Sequence, residues 1–106
     1  MSPELPRRAI IRLAANVRVR YLRSERPPIE YAITLESRAG DTWTTIRLWD
    51  NADGLDTHHE HAYTESGGKQ PPVVRAQSST NEAMAAAIRI AATDWEAIVE
   101  RWKDAR

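Results

Sequence analysis

Residues 79–104, STNEAMAAAIRIAATDWEAIVERWKD, contain the pattern that decides the fold. Ser79 and Glu82 have the spacing of a capping box, in which each side chain accepts a hydrogen bond from a backbone N–H group at the start of a helix. Apolar residues then recur at spacings of four, three, four, three and four, which lines one face of an α-helix: Met84, Ile88, Ala91, Trp95, Ile98 and Trp102. A coiled-coil seam would use the same stripe, but the many flanking alanines favour close packing on a sheet. The sequence therefore predicts a helix that runs to about Lys103 and lies across a sheet.

The chain before this helix shows the alternation of apolar and polar residues that is typical of β-strands. Within residues 16–22, for example, Val17, Val19 and Tyr21 alternate with arginines, so that one side of the strand is apolar. Prolines and glycines interrupt the pattern and mark connections, including a hairpin at residues 37–41. The strands predicted in this way cover residues 16–22, 29–36, 42–50, 59–64 and, at the sheet edge, 73–76.

These elements define an α+β fold within a single domain of 106 residues. We expect about four or five strands in a mostly antiparallel sheet, with the long C-terminal helix packed on one face. The β-meander covers residues 16–78 and the helix residues 79–104, while residues 1–15 form an N-terminal segment. Within this segment, residues 7–15 fit either a short helix or a first strand. Asp53-Gly54 marks a turn.

The strand predicted at residues 42–50 is apolar on both sides. Strict alternation places Ile46 and Leu48 on one face, and Trp43 and Trp49 on the other. A strand with two apolar faces needs two covering layers. The N-terminal segment is one candidate for the second layer, and a second copy of the chain in a homodimer is the other.

The composition is that of a folded globular protein, since 42 % of the residues are apolar and 28 % are charged. The absence of cysteine excludes disulfides and thiolate metal ligands. No apolar run approaches the length of about 20 residues that is needed to span a bilayer, and the first residues lack the apolar segment of a secretory signal. We therefore expect a cytoplasmic protein with no membrane partner.

The charges are unevenly distributed along the chain. The formal net charge is zero, which argues against a protein that coats polyanions indiscriminately. Residues 1–26, however, carry seven arginines against two glutamates, and thirteen of the fifteen basic residues are arginine. Arginine is suited to forked binding of phosphate or carboxylate groups. Codon bias in a GC-rich genome explains the same excess, and both explanations stay open.

Ionisable side chains are most concentrated in WDNADGLDTHHEH, residues 49–61, which contain three histidines, three aspartates and a glutamate. If residues 59–64 form a strand, His59, His61 and Tyr63 share one face. Two imidazoles on one side of a strand can divide the work of RNA cleavage, because one takes the proton of the 2′-hydroxyl and the other protonates the leaving oxygen. The other face of this strand then carries His58 and Glu60.

Phosphate binding at such a site requires cations close to the histidines. Arg47, Arg75 and Lys69 are the candidates in the neighbouring sequence. Lys69 follows Gly67-Gly68, and a diglycine can turn successive backbone N–H groups towards an anion.

Two other interpretations of the same residues stay open. His59 and His61 could bind a divalent metal together with Asp50, Asp56 or the third histidine, since H-x-H on a strand supplies two ligands. Alternatively the segment is a solvated turn in which aspartates bond nearby backbone N–H groups, which is common for Asx residues at strand ends. Under the catalytic interpretation, Asp50 orients one of the histidines.

One pattern in this chain resembles a known protein family. A strand ends in Trp49-Asp50-Asn51, Gly54 and Asp56 follow, then H-x-H, and finally a capped helix that ends near a tryptophan. This order resembles the TumE-like toxin proteins of bacterial toxin–antitoxin systems, and the chain is also similar to related small actinobacterial proteins with a G-G-K-Q-P feature. The resemblance covers about residues 30–102. Trp49 replaces the family's tyrosine, and the arginine-rich N-terminal segment has no counterpart.

The resemblance implies a toxin that acts on RNA and is encoded beside a helix-turn-helix antitoxin. In that role we expect His59, His61 and Asp50 to be catalytic. The substrate-binding set would be Arg47, Lys69, Asn51 and Tyr63. The alternatives are a non-catalytic protein-interaction module, or a protein that binds a divalent metal through His59, His61 and Asp56. The catalytic interpretation requires no cofactor.

Overall fold

The computed structural model describes residues 7–52, 57–76 and 79–104. These residues form seven strands and one helix, which confirms the predicted α+β class. The elements are β1 (Arg8–Ala14), β2 (Val17–Arg23), β3 (Tyr31–Ala39), β4 (Thr42–Asp50), β5 (His58–Thr64), β6 (Gly68–Lys69), β7 (Val73–Arg75) and α1 (Thr80–Asp104).

Strands β1 to β5 form an antiparallel meander in which each strand pairs with the next. The other edge of β5 is shared, because β7 pairs with its first half and β6 with its last two residues. The hairpin between β3 and β4 turns at Gly40, whose φ of 61° is readily adopted only by glycine. The turn expected at Asp53-Gly54 lies outside the described residues.

Helix α1 lies across one face of the sheet, as its stripe predicted. The hydroxyl oxygen of Ser79 accepts a hydrogen bond of 3.1 Å from the backbone N–H of Glu82, so the predicted cap is present. Met84, Ala91 and Ile98 are each at most 2 % exposed against the sheet. The sheet contributes the buried residues Val17, Val19, Tyr21, Tyr31, Ile33, Leu35, Ile46 and Trp49 to this core. No helix in the described ranges combines the length and apolar character needed to cross a membrane.

The option of a short N-terminal helix is wrong, because residues 8–14 form strand β1 and raise the strand count above our expectation. Ala9 and Ile11 lie opposite Tyr21 and Val19 in the register and pack on the core, whereas Arg8 and Arg12 are exposed. This segment has the period of two that suits a half-buried strand. Pairing with the edge of β2 therefore determines the conformation of residues 8–14, whose sequence by itself fits either a helix or a strand.

Strand β4 also differs from the expected alternation. A β-bulge shifts its register against β3, so that Thr45 lies opposite Glu36 whereas Arg47 lies opposite Leu35. The extra residue brings Ile46 to the helix-covered face, on the same side as Trp49. Trp43 is left on the opposite side, beneath the guanidinium of Arg18 at 3.9 Å. The expected sharing of a face by the two tryptophans is therefore wrong.

Candidate functional site

His59 and His61 point to the side of the sheet that α1 does not cover, which we call the far face. In the register, His59 lies opposite Asp50 and His61 opposite Leu48, whereas Glu60 lies opposite the core residue Trp49. The two imidazole centroids are 6.2 Å apart and the rings are tilted by 42°. Both residues are buried, with 6 % and 7 % of their surface exposed. The expected side-by-side arrangement of the two rings is therefore present in a largely enclosed setting.

The two rings differ in their nearest polar neighbours. The Nδ1 atom of His59 lies 3.9 Å from Oδ1 of Asp50, too far for a hydrogen bond. This nitrogen is buried and has no hydrogen-bond partner among the described residues. The Nδ1 atom of His61 lies 3.1 Å from the carbonyl oxygen of Gln70. Because a carbonyl only accepts, Nδ1 of His61 carries the proton in this contact, and the lone pair of the neutral ring is on Nε2.

The predicted phosphate-binding residues do not all gather at this site. Lys69 is exposed on β6 opposite Tyr63, which lies two residues beyond His61 on the same side of β5. The N–H group of Gly67 donates to the hydroxyl of Thr64 at 2.9 Å, so it is engaged within the turn rather than turned towards an anion.

Arg47 lies on the opposite side of the sheet, away from the histidines. The bulge in β4 turns it to the helix-covered face, where Nη1 binds Oε2 of Glu60 at 2.5 Å. Arg75 binds the other oxygen of the same carboxylate through Nε at 3.0 Å. Glu60 and Arg47 are nearly enclosed, with side-chain exposures of 7 % and 12 %. Arg47 therefore belongs to a buried ion-pair network and is not grouped with His59 and His61.

Asn51 holds two neighbouring segments together. Its side-chain oxygen accepts from the N–H of Tyr31 at 2.9 Å, and its amide donates to the carbonyl of Ile29 at 2.8 Å. Only 1 % of Asn51 is exposed. These bonds fix the start of β3 beside the end of β4, which is a structural arrangement rather than a ligand contact.

His58 points to the helix-covered side, away from His59 and His61. Its ring stacks on Tyr31 with centroids 5.8 Å apart, and its Nδ1 lies 2.9 Å from the tyrosine hydroxyl oxygen. Burial, with a smaller contribution from the negative charge of Asp50, raises the pKa of Tyr31 to about 12. The tyrosine hydroxyl therefore stays protonated at neutral pH, and the tautomer of His58 determines which of the two groups donates this hydrogen bond.

The raised pKa of Tyr31 predicts a specific loss of stability in alkali. The Tyr31 hydroxyl is half ionised near pH 10 in the unfolded chain but only near pH 12 in the folded one. The stabilisation is therefore complete below pH 10 and is lost as the pH rises through 12. For Tyr31→Phe, the difference in unfolding free energy from the parent should change by about 3 kcal/mol across this window. Urea denaturation at a series of pH values measures this difference. The contribution of Tyr21 cancels in the comparison because both proteins contain this residue. A difference that is constant with pH would contradict the shift.

The metal interpretation gains no complete ligand set from the described part of the chain. Within it, no group of three histidine, aspartate or glutamate side chains is arranged to hold a metal ion. Asp56, the carboxylate expected to join His59 and His61, lies outside the described residues. The metal interpretation therefore stays a prediction.

Sequence reasoning missed the contacts of two residues in this region, Gln70 and Glu60. Gln70 acts through its backbone carbonyl, which any residue type would supply, so no residue pattern could have identified it. Glu60 lies within the concentrated segment, but its partners Arg47 and Arg75 come from two other strands. Comparison with known proteins finds no family model, no curated protein and no solved structure that matches this chain.

Proposed function

We propose that this chain is an RNA-cleaving toxin in which His59 and His61 act as acid and base. The observation that supports this proposal is the pair of imidazoles 6.2 Å apart on the far face of β5, beside Asp50. Two imidazoles at this separation can reach neighbouring oxygens of one phosphodiester. The resemblance to the TumE-like toxins is the reason for placing the activity in a toxin–antitoxin pair, with a helix-turn-helix antitoxin as partner and a cytoplasmic location.

The proposed reaction needs only the groups on this strand and its neighbours. Nε2 of His61 takes the proton of a ribose 2′-hydroxyl, and the 2′-oxygen attacks the adjacent phosphorus. The bond from phosphorus to the 5′-oxygen breaks, and protonated His59 gives its proton to that oxygen. Asp50 orients the His59 ring through its negative charge, since the distance of 3.9 Å to Nδ1 is too long for a hydrogen bond, and Lys69 offers a positive charge to the phosphate. The products are a 2′,3′-cyclic phosphate and a 5′-hydroxyl end.

A second candidate function is a non-catalytic protein-interaction module, which could act as a homodimer. The burial of both imidazoles favours this candidate, because a reacting phosphate has to reach the rings. Exposed apolar residues on the far face favour it too, with Ile10 at 57 %, Leu22 at 43 % and Val74 at 63 %.

Incubation of the purified protein with end-labelled RNA tests the proposal. We expect fragments with 2′,3′-cyclic phosphate ends, and no cleavage at any position where the 2′-hydroxyl is replaced by hydrogen. Activity should persist in a chelator, because the proposed steps use no metal. Cleavage that a chelator abolishes would favour the metal-binding alternative. An intact RNA substrate would reject the ribonuclease and favour the interaction module.

A further inference from the structure

Four arginines lie on the far face near the edge of the sheet formed by β1 and β2, whereas the histidines lie on β5 towards the other edge. Val19 and Tyr21 of β2 are buried against α1, so the residues that alternate with them point to the far face. Residues directly opposite in an antiparallel pair share a face, which adds the facing side chains of β1. We call the resulting set the arginine strip: Arg8, Arg12, Arg18 and Arg20.

The charge of the arginine strip is incompletely balanced by its surroundings. Arg18 donates to Glu36 at 2.7 Å, and Arg20 lies 3.6 Å from the other oxygen of the same carboxylate. Within the described strands, Glu36 and Asp50 are the carboxylates on this face, and Asp50 lies at the histidine side. Arg12 faces Arg18 directly across the strands, and such like-charge pairs are destabilising without a counter-charge. The strip thus presents an excess of positive charge although the whole chain is neutral.

An uncharged patch, flanked by Glu36 of β3 and Asp50 of β4, forms the floor between the strip and the histidines. β2 and β5 are three strand spacings apart in the sheet order, which corresponds to about 14 Å, and β1 lies about 5 Å further away. Ala32, Thr34 and Leu48 occupy the intervening far-face positions of β3 and β4. A stacked strand of nucleic acid advances about 3.4 Å per nucleotide, so at least four stacked nucleotides span this floor.

We infer that the arginine strip is a remote phosphate-binding subsite that anchors an RNA strand whose scissile phosphate lies at His59 and His61. This inference rests on the proposed function and specifies its substrate as a single RNA strand of several nucleotides. The strip contacts phosphates rather than base edges, so it gives affinity without sequence preference. The face of Trp43 is already covered by Arg18, which leaves phosphate contacts as the main source of affinity.

Binding to an uncleavable 2′-O-methyl RNA of about ten nucleotides tests the strip separately from catalysis. The double variant Arg12→Gln/Arg20→Gln should bind about tenfold more weakly at low salt, and its logarithmic salt dependence should be shallower by about 1.4, since each lost phosphate contact in a single strand removes about 0.7. The matched control is Arg89→Gln/Arg101→Gln, which removes the same charge from exposed positions on α1. Equal losses in both double variants would overturn the strip. A parent protein that does not bind the RNA would also overturn it and favour an acidic protein partner for this face.

Kinetics separate this inference from the proposed function. With a cleavable RNA of about ten nucleotides, Arg12→Gln/Arg20→Gln should raise KM about tenfold and leave kcat unchanged. A dinucleotide should be cleaved equally by parent and variant because it cannot reach the strip. If the strip variants weaken RNA binding but the parent cleaves no RNA, phosphate binding by the arginine strip is supported and the ribonuclease activity is rejected. If the parent cleaves RNA and the variants change neither KM nor binding, the ribonuclease activity is supported and phosphate binding by the arginine strip is rejected.

Discussion

His59→Ala and His61→Ala are each expected to lower the rate of RNA cleavage about 100- to 10,000-fold, the usual contribution of a positioned acid or base. Under the proposed toxin function, expression of the parent should arrest growth, and each variant should relieve that arrest. The reason is that either substitution removes one of the two proton transfers. His59 and His61, 6.2 Å apart, are the two imidazoles on the far face of the described strands, so no third imidazole replaces the lost one. The effect should fall on kcat, because the phosphate-binding groups are unchanged.

Because both rings are buried, alanine also leaves a cavity, and each variant needs a measure of folding beside the activity. His59→Gln and His61→Gln fill more of the space and should be as inactive as the alanine variants. His58→Gln is the matched control, since it changes the neighbouring histidine on the helix-covered side. If folded His59→Gln and His61→Gln proteins retain the parent rate, the acid–base assignment is wrong.

Glu60→Ala is expected to lower the free energy of unfolding by about 3–5 kcal/mol, which is the cost of leaving one partner of a buried ion pair uncompensated. The carboxylate is 7 % exposed and binds both Arg47 and Arg75. Its loss leaves the guanidinium of Arg47 without its counter-charge. The Nε atom of this guanidinium already has no hydrogen-bond partner among the described residues. Urea denaturation of the parent and variant measures the difference.

Two further variants distinguish the charge effect from a simple loss of packing. Arg75 is 53 % exposed, so Arg75→Ala should cost about 1 kcal/mol or less. Arg47→Leu combined with Glu60→Leu removes both charges and should recover most of the stability lost in Glu60→Ala. If the double leucine variant is less stable than Glu60→Ala, the penalty does not come from an unpaired charge.

The sequence was most informative where a pattern is long and local. The α1 stripe spans more than twenty residues, and its cap lies within four residues, so the helix was predicted almost to its ends. β1 could not be assigned in this way, because seven residues with mixed arginines and aliphatic side chains fit two periods. Its conformation follows from pairing with β2, which is a contact between strands rather than a property of the segment.

The candidate site was predictable to the same extent. Alternation along β5 correctly placed His59 and His61 on one side, because that rule depends on one strand alone. The position of Arg47 was not predictable, since a bulge decides its face and leaves no distinctive residue in the sequence. Nor does a residue pattern reveal that Gln70 comes close to His61, because a backbone carbonyl makes that contact.

The bulge in β4 determines which face of the sheet each half of this strand presents. Upstream of it, Trp43 belongs to the far face, and downstream Trp49 belongs to the core. If the same nine residues paired without the bulge, strict alternation would exchange the environments of every later side chain up to Asp50, whereas a deletion of one residue at 46–47 would remove the bulge and leave those side chains on their present faces. Homologous chains that keep both tryptophans on these faces but lack the bulge should therefore have one residue fewer between them.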